Sequence, residues 1–160
     1  VVNQRPVAAK RKRIEPIEVA VGVLVEGGKI FIQKRPENGL MARLWEFPGG
    51  KLKTGEKPET ALEREFFEEL GLQVFCLDKI TTIRHAYTSF RVTLHAFFCQ
   101  PAIPRQEPVL HAATEGRWVS RHQLDELAFP AANRKLIDIL IRQRTKTRNP
   151  NIEIRNHAKA

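Results

Sequence analysis

The sequence is poor in cysteine, in long apolar runs and in repeats, and each shortage removes a class of protein. Its 160 residues include only two cysteines, Cys76 and Cys99. Both sit among apolar neighbours (Val74-Phe75-Cys76-Leu77 and Phe97-Phe98-Cys99). They read as buried free thiols of a reducing compartment, not as a disulfide framework or a metal site. No apolar stretch approaches the roughly 18 residues that cross a bilayer. The basic N-terminal stretch is not followed by the hydrophobic segment of a secretory leader. The expectation is a cytoplasmic chain with no membrane partner. No repeat or low-complexity tract is visible. With 42% hydrophobic residues, the length suits one domain with its own core.

Charge is unevenly spread. The net charge is +9, yet residues 1–13 and 142–160 together carry eleven basic side chains and one acidic one. The middle of the chain holds 16 basic and 17 acidic residues. The division expected is a basic linker or arm over 1–15, a folded domain over 16–143 and a basic tail over 144–160. The arms read either as phosphate contacts to duplex DNA or as solvated ends and linkers.

The densest chemistry lies in Gly50–Leu72, GKLKTGEKPETALEREFFEELGL. Pro58 suits the first turn of a helix, where its missing N–H costs nothing. Gly71 suits a left-handed cap at the other end. Ala61, Leu62, Phe66 and Leu70 recur at helical spacing and predict a buried face. Glu65, Glu68 and Glu69 stand at i, i+3 and i+4, so three carboxylates share one patch. Like charges this close repel, and a hard divalent cation such as Mg²⁺, or Mn²⁺ in its place, offsets that repulsion. The other reading is a solvated acidic helix face.

The spacing Gly50, Glu56, Arg64-Glu65-Phe66, Glu68-Glu69, Gly71-Leu72 resembles the Nudix box, G-x5-E-x7-R-E-U-x-E-E-x-G-U, with U a bulky apolar residue. Chance agreement at its seven fixed positions is on the order of one in a billion per window. Only Phe66, where an aliphatic residue is commoner, departs. The resemblance implies an α+β Nudix fold, a mixed and mostly antiparallel sheet between helices (α/β/α). It also implies a metal site drawn from Gly50, Glu56, Glu65, Glu68 and Glu69. Glu65, Glu68 and Glu69 are the candidate catalytic carboxylates, and Arg64 orients them through a forked ion pair.

Elsewhere, Ile17 to Val25 alternates as a strand, Gly27-Gly28 is a hairpin turn, and residues 29–35 form the return strand. Trp45 and Phe47 read as core. Residues 72–84 carry one or two strands, and Phe90 to Cys99 alternates again. His85 and His95 are not spaced as ligands and read as structural. Residues 101–114 form a proline-containing loop whose far part is flanked by Glu107 and Glu115, each a further candidate carboxylate. Residues 117–119 form a short strand, and Ser120 with Gln123 suits a capping box. Leu136, Ile137, Leu140 and Ile141 form the buried face of a last helix. Asn133 heads that face, either as an N-terminal cap or as an amide reading a purine edge.

Residues 44–51, 84–97, 115–119 and 129–133 resemble the Nudix subfamily that acts on 8-oxoguanine. That subfamily includes MutT-type 8-oxo-dGTP pyrophosphohydrolases and the C-terminal domain of the A/G-specific adenine DNA glycosylase, MutY. The resemblance implies an enzyme that converts 8-oxo-dGTP to 8-oxo-dGMP and pyrophosphate. The alternative is a lesion-recognition module attached to an N-terminal glycosylase domain. Asn133, Tyr87, Thr88, Ser89 and Arg35 are the implied substrate contacts. Ser89 stands where the glycosylase domain commonly has histidine.

Overall fold

The computed structural model describes residues 14–39 and 41–146, with side chains to 143. The basic arms, and any DNA contact made by residues 1–13 or 147–160, lie outside the described residues. The elements are β1 (Glu15–Glu26), β2 (Lys29–Lys34), β3 (Trp45–Glu46), β4 (Gly49–Lys51), α1 (Pro58–Leu70), β5 (Val74–Ala86), β6 (Phe90–Pro101), β7 (Glu115–Val119), a 3₁₀ segment (His122–Glu126) and α2 (Ala131–Lys146).

One seven-stranded sheet runs β3-β2-β1-β6-β5, with β4 paired to β1 and β7 to β2. β1 and β6 are parallel over the long register from Glu15↔Phe90 to Leu24↔Cys99, and every other pairing is antiparallel. This is the mixed, mostly antiparallel arrangement expected. β1 is the hub, because its other edge is shared: Leu24–Glu26 pair with β2, and Val19–Val21 pair with Gly49–Lys51 of β4.

The alternation of β1 predicts one apolar face, and the structure buries both. Val21 and Val23 pack with Ile30, Ile32, Leu94 and Phe98 beneath Leu136, Ile137 and Leu140 of α2. Ala20 and Leu24 pack with Phe31, Phe97 and Cys99 beneath Ala61, Leu62, Phe66 and Leu70 of α1. The sheet is thus sandwiched between the two helices. Truncating one of these core side chains, Leu62 or Leu136 for instance, should cost about 2–5 kcal/mol.

Residues 74–86 form one strand rather than two, with irregular register between Cys76 and Lys79 and again before Thr81. Such bulges let a long strand bend without ending. Cys76 and Cys99 are free thiols and direct cross-strand partners. Burial pushes Cys76 up to about 12 and Cys99 well above the ordinary thiol value. Gln123 Oε1 accepts the Ser120 N–H at 2.7 Å, the backward half of a capping box, at the start of the 3₁₀ segment.

Candidate active site

α1 begins at Pro58, after an extended Lys57, and ends at Gly71 in the left-handed conformation (φ 63°, ψ 18°). Those bounds present Arg64, Glu65 and Glu68 to the loop that precedes the helix. Arg64 is the centre of the cluster. Its Nε and Nη2 donate to the two carboxylate oxygens of Glu56 at 2.8 and 2.9 Å. Its Nη1 donates to Glu65 at 2.9 Å and Glu68 at 3.1 Å. Nη2 also donates to the carbonyl of Lys51 at 3.1 Å. This planar fork is geometry that a lysine could not reproduce.

The carboxylates are tuned in opposite directions. The Arg64 hydrogen bonds, joined by the Lys53 N–H at 2.9 Å, hold the Glu56 carboxyl down at about 2. Burial pushes Glu65 above the usual carboxylate value, against the pull of Arg64 and with the help of its neighbours Glu68 and Glu69. Gly50 explains the start of the box. A Cβ there would lie 2.3 Å from the Glu65 carboxyl carbon, so the strand and the carboxylate touch only because position 50 has no side chain.

Among the described residues, no three His, Cys, Asp or Glu side chains are gathered as a ready ion cage. Arg64 stands where Glu56, Glu65 and Glu68 meet. The donor set still fits a hard cation. The groups are all carboxylate oxygens, three carboxylates meet one guanidinium, and mutual repulsion with Glu68 and Glu69 contributes to the raised value of Glu65.

On the opposite side of β4 lies a cavity of about 420 Å³, within the size range of small-molecule sites. Val19, Val21, Val92 and Leu94 form its apolar wall. Tyr87, Phe90, Phe47 and Met41 line it further, and Arg35, Glu46 and Asn133 supply polar groups. Gly49, Gly50 and Lys51 of β4 line it too. Asn133 lies within α2 and is not its cap. Its Oδ1 accepts the Phe47 N–H at 3.3 Å, which leaves the Nδ2 donor available to a ligand. Arg35 donates to Glu46 at 2.6 Å, and Gln33 donates to the other Glu46 oxygen at 3.1 Å. The Tyr87 hydroxyl accepts the Ala132 N–H at 3.0 Å and so ties the β5–β6 turn to the start of α2.

The candidate substrate residues thus divide. Arg35, Tyr87 and Asn133 share the cavity, whereas Thr88 and Ser89 are exposed and do not line it. Glu115 pairs with Arg117 at 2.8 Å, Glu107 is exposed, and neither lines the cavity. His85 packs edge-on against Tyr87, and His95 contacts Glu18 at 3.1 Å. Sequence reasoning missed Glu46 and the Phe47 amide as site groups. For Glu46 the signal was a charged residue alternating with two buried aromatics.

A metal-suited carboxylate helix and an apolar cavity with a purine-compatible amide, separated by one short strand, define a protein built for nucleotide phosphate chemistry. The NUDIX domain family matches residues 20–147, and the chain belongs to that family, the Nudix hydrolases. It is 36% identical over 128 residues to the 8-oxo-dGTP diphosphatase of Haemophilus influenzae, covering 79% of this chain and 93% of the relative. The 8-oxo-dGTP diphosphatase of Escherichia coli K12 is 32% identical over 125 residues, 78% of this chain and 95% of that protein. The crystal structure of the MutT protein from Methanosarcina mazei Go1 superposes with a TM-score of 0.75 at 23% identity, covering 84% of this chain and 99% of that one. This last likeness establishes the fold. The family's chemistry calls for a divalent cation. Among the described residues, no helix is long and apolar enough to cross a membrane.

Proposed function

We propose that the chain hydrolyses 8-oxo-dGTP to 8-oxo-dGMP and pyrophosphate with Mg²⁺, or Mn²⁺ in its place, as a sanitiser of the cytoplasmic nucleotide pool. The observation that carries this reading is the position of β4. One side of its Gly49-Gly50-Lys51 segment lines the cavity, and Gly50 abuts the Glu65 carboxylate. A base in the cavity therefore places its phosphates at the carboxylate helix.

Asn133 and Arg35 orient the base end, and the apolar walls exclude water from it. Glu56, Glu65, Glu68 and Glu69 would hold the cation, beside the backbone of Gly50. When bound, the cation neutralises the phosphates and lowers the pKa of a coordinated water. Arg64 keeps Glu56, Glu65 and Glu68 in register through its fork. Glu65 accepts the proton of the attacking water, because burial makes it a better base than an exposed carboxylate. Water adds to phosphorus, and the bond from that phosphorus to the bridging oxygen breaks. The products are the monophosphate and pyrophosphate.

The domain reading assigns residues 16–143 to this unit. A DNA-binding or glycosylase-linked role draws on the arms outside the described residues, while the relatives matched over nearly their full length favour nucleotide hydrolysis. The test is pyrophosphate release from 8-oxo-dGTP and dGTP with and without Mg²⁺. Metal-dependent turnover should prefer 8-oxo-dGTP and fall by on the order of 10²-fold or more in Glu68→Gln. A folded, Mg²⁺-binding protein that turns over neither nucleotide would sink the proposal.

A further inference from the structure

We propose that His111 is a positioning residue for the metal site, holding the last turn of α1 so that Glu68 and Glu69 present their carboxylates to the ion. The inference rests on the reading of those two residues as metal ligands. A helix leaves its last four carbonyls without partners inside the helix. In α1 these belong to Phe67, Glu68, Glu69 and Leu70. Gly71 satisfies the first, its N–H donating to the Phe67 carbonyl at 3.0 Å. The loop between β6 and β7 satisfies the other three. The Val109 N–H donates to Leu70 at 2.9 Å and the His111 N–H to Glu69 at 3.2 Å. The His111 ring completes the set, with Nδ1 at 2.6 Å from the Glu68 carbonyl.

Any residue except proline could supply the two backbone donors; only the third depends on which side chain stands at 111. A carbonyl oxygen can only accept, so Nδ1 carries the proton and the tautomer is set by the bond. The bond lands on the residue that most needs it. Helix ends fray, and Glu68 is exposed, with its side chain 50% accessible and held by Arg64 at the longest of that residue's side-chain bonds, 3.1 Å. The ring and backbone of one residue thereby fix two successive peptide groups, those of Glu68 and Glu69, from outside the helix. This is the second layer of support that ion-binding carboxylates require.

The test is Mn²⁺ binding to the full chain without nucleotide, followed by electron paramagnetic resonance, in the wild type, His111→Ala and His111→Asn. The asparagine Nδ2 stands where the histidine Nδ1 does and can donate the same bond. His111→Ala should weaken Mn²⁺ binding by on the order of 10-fold. It should also speed amide exchange at Gly71 and Leu72, and raise the Mg²⁺ needed for half-maximal turnover while leaving the nucleotide KM unchanged. His111→Asn should stay within about twofold of the wild type. If the alanine variant does not fold, His111→Gln replaces it: its amide lies one methylene further out and should bind Mn²⁺ more weakly than His111→Asn.

Wild-type Mn²⁺ affinity in His111→Ala, or equal weakening in His111→Asn, would overturn the positioning role and leave the proposed hydrolase standing. Equal affinity in His111→Gln and His111→Asn would overturn it in the same way. A wild type that binds no Mn²⁺ would remove the metal-site reading, and this inference with it.

Discussion

Around Arg64, the interacting groups come from the end of β4, the loop that follows it and α1; around the cavity behind β4, the walls come from β1, β3, β4, β6, the segment after β2, the β5–β6 turn and α2. The first site is charged and local, and the second is apolar and assembled from distant parts of the chain. In the first, the groups lie within about twenty residues of one another in the chain, and charge–charge contacts at about 3 Å hold them. In the second, position follows from how the sheet packs on α2, and shape with one oriented amide does the work. A charge array can therefore be encoded in a short stretch, whereas a shaped apolar cavity requires the whole fold.

The variant expected to have the largest effect strikes the strand between the two sites. Gly50→Ala would place a methyl group 2.3 Å from the Glu65 carboxyl carbon and displace it. Misplacement of a reacting group by about an ångström costs on the order of 10²-fold in rate, so steady-state pyrophosphate release should fall by that much while thermal melting changes little. A fully active Gly50→Ala would break the claim that β4 couples the sites.

Asn133→Ala probes the cavity alone. Losing a donor to the base should cut the preference for 8-oxo-dGTP over dGTP, measured as a ratio of kcat/KM, by roughly 10- to 100-fold, with Mn²⁺ affinity unchanged. A parallel loss of metal binding would show that the two regions are not separable.

The carboxylate side has its own signature in acid. Glu56 titrates near 2 in the folded protein, against an ordinary value of 4.5, so the unfolded chain takes up its proton first. Its stabilising contribution is complete above pH 4.5 and disappears as pH falls toward 2. Urea unfolding at pH 7 and pH 3 should show Glu56→Gln less stable at the higher pH and closer to the wild type at the lower. Glu65 runs the other way: its raised value favours the fold in acid, and that contribution is lost as pH rises through its folded pKa.

The smallest effect is expected from Tyr87→Phe, which keeps the ring and removes the acceptor of the Ala132 N–H. The loss should be about 1 kcal/mol of stability, read by chemical denaturation, with selectivity changed less than in Asn133→Ala.

The same contrast between local and assembled sites governs what is legible in the sequence alone. The helix of residues 58–70, its Gly71 cap, its buried face and the meeting of Arg64 with Glu68 follow from spacing, because helical geometry relates residues three and four apart whatever surrounds them; that Glu56 takes the Arg64 fork was decided by the fold of the preceding loop. The Gly27-Gly28 hairpin is equally local. Asn133 is different. Its neighbours suited a cap and a ligand contact alike; the structure excludes the cap, sets Asn133 on the cavity wall and gives its Oδ1 to the Phe47 N–H, 86 positions away in the chain. The exposure of Thr88 and Ser89 beside a cavity-lining Tyr87, the cross-strand meeting of Cys76 and Cys99, and the capping of α1 by His111 are likewise settled by strand register and loop docking. By itself the sequence determined the carboxylate face of α1, since the relative positions of Arg64, Glu65, Glu68 and Glu69 are set by spacing along one helix. Only the tertiary structure decided the cavity, the placing of Glu56 and the support of α1 from outside, since those contacts join segments whose distance apart depends on how the loops dock and the sheet packs between two helices.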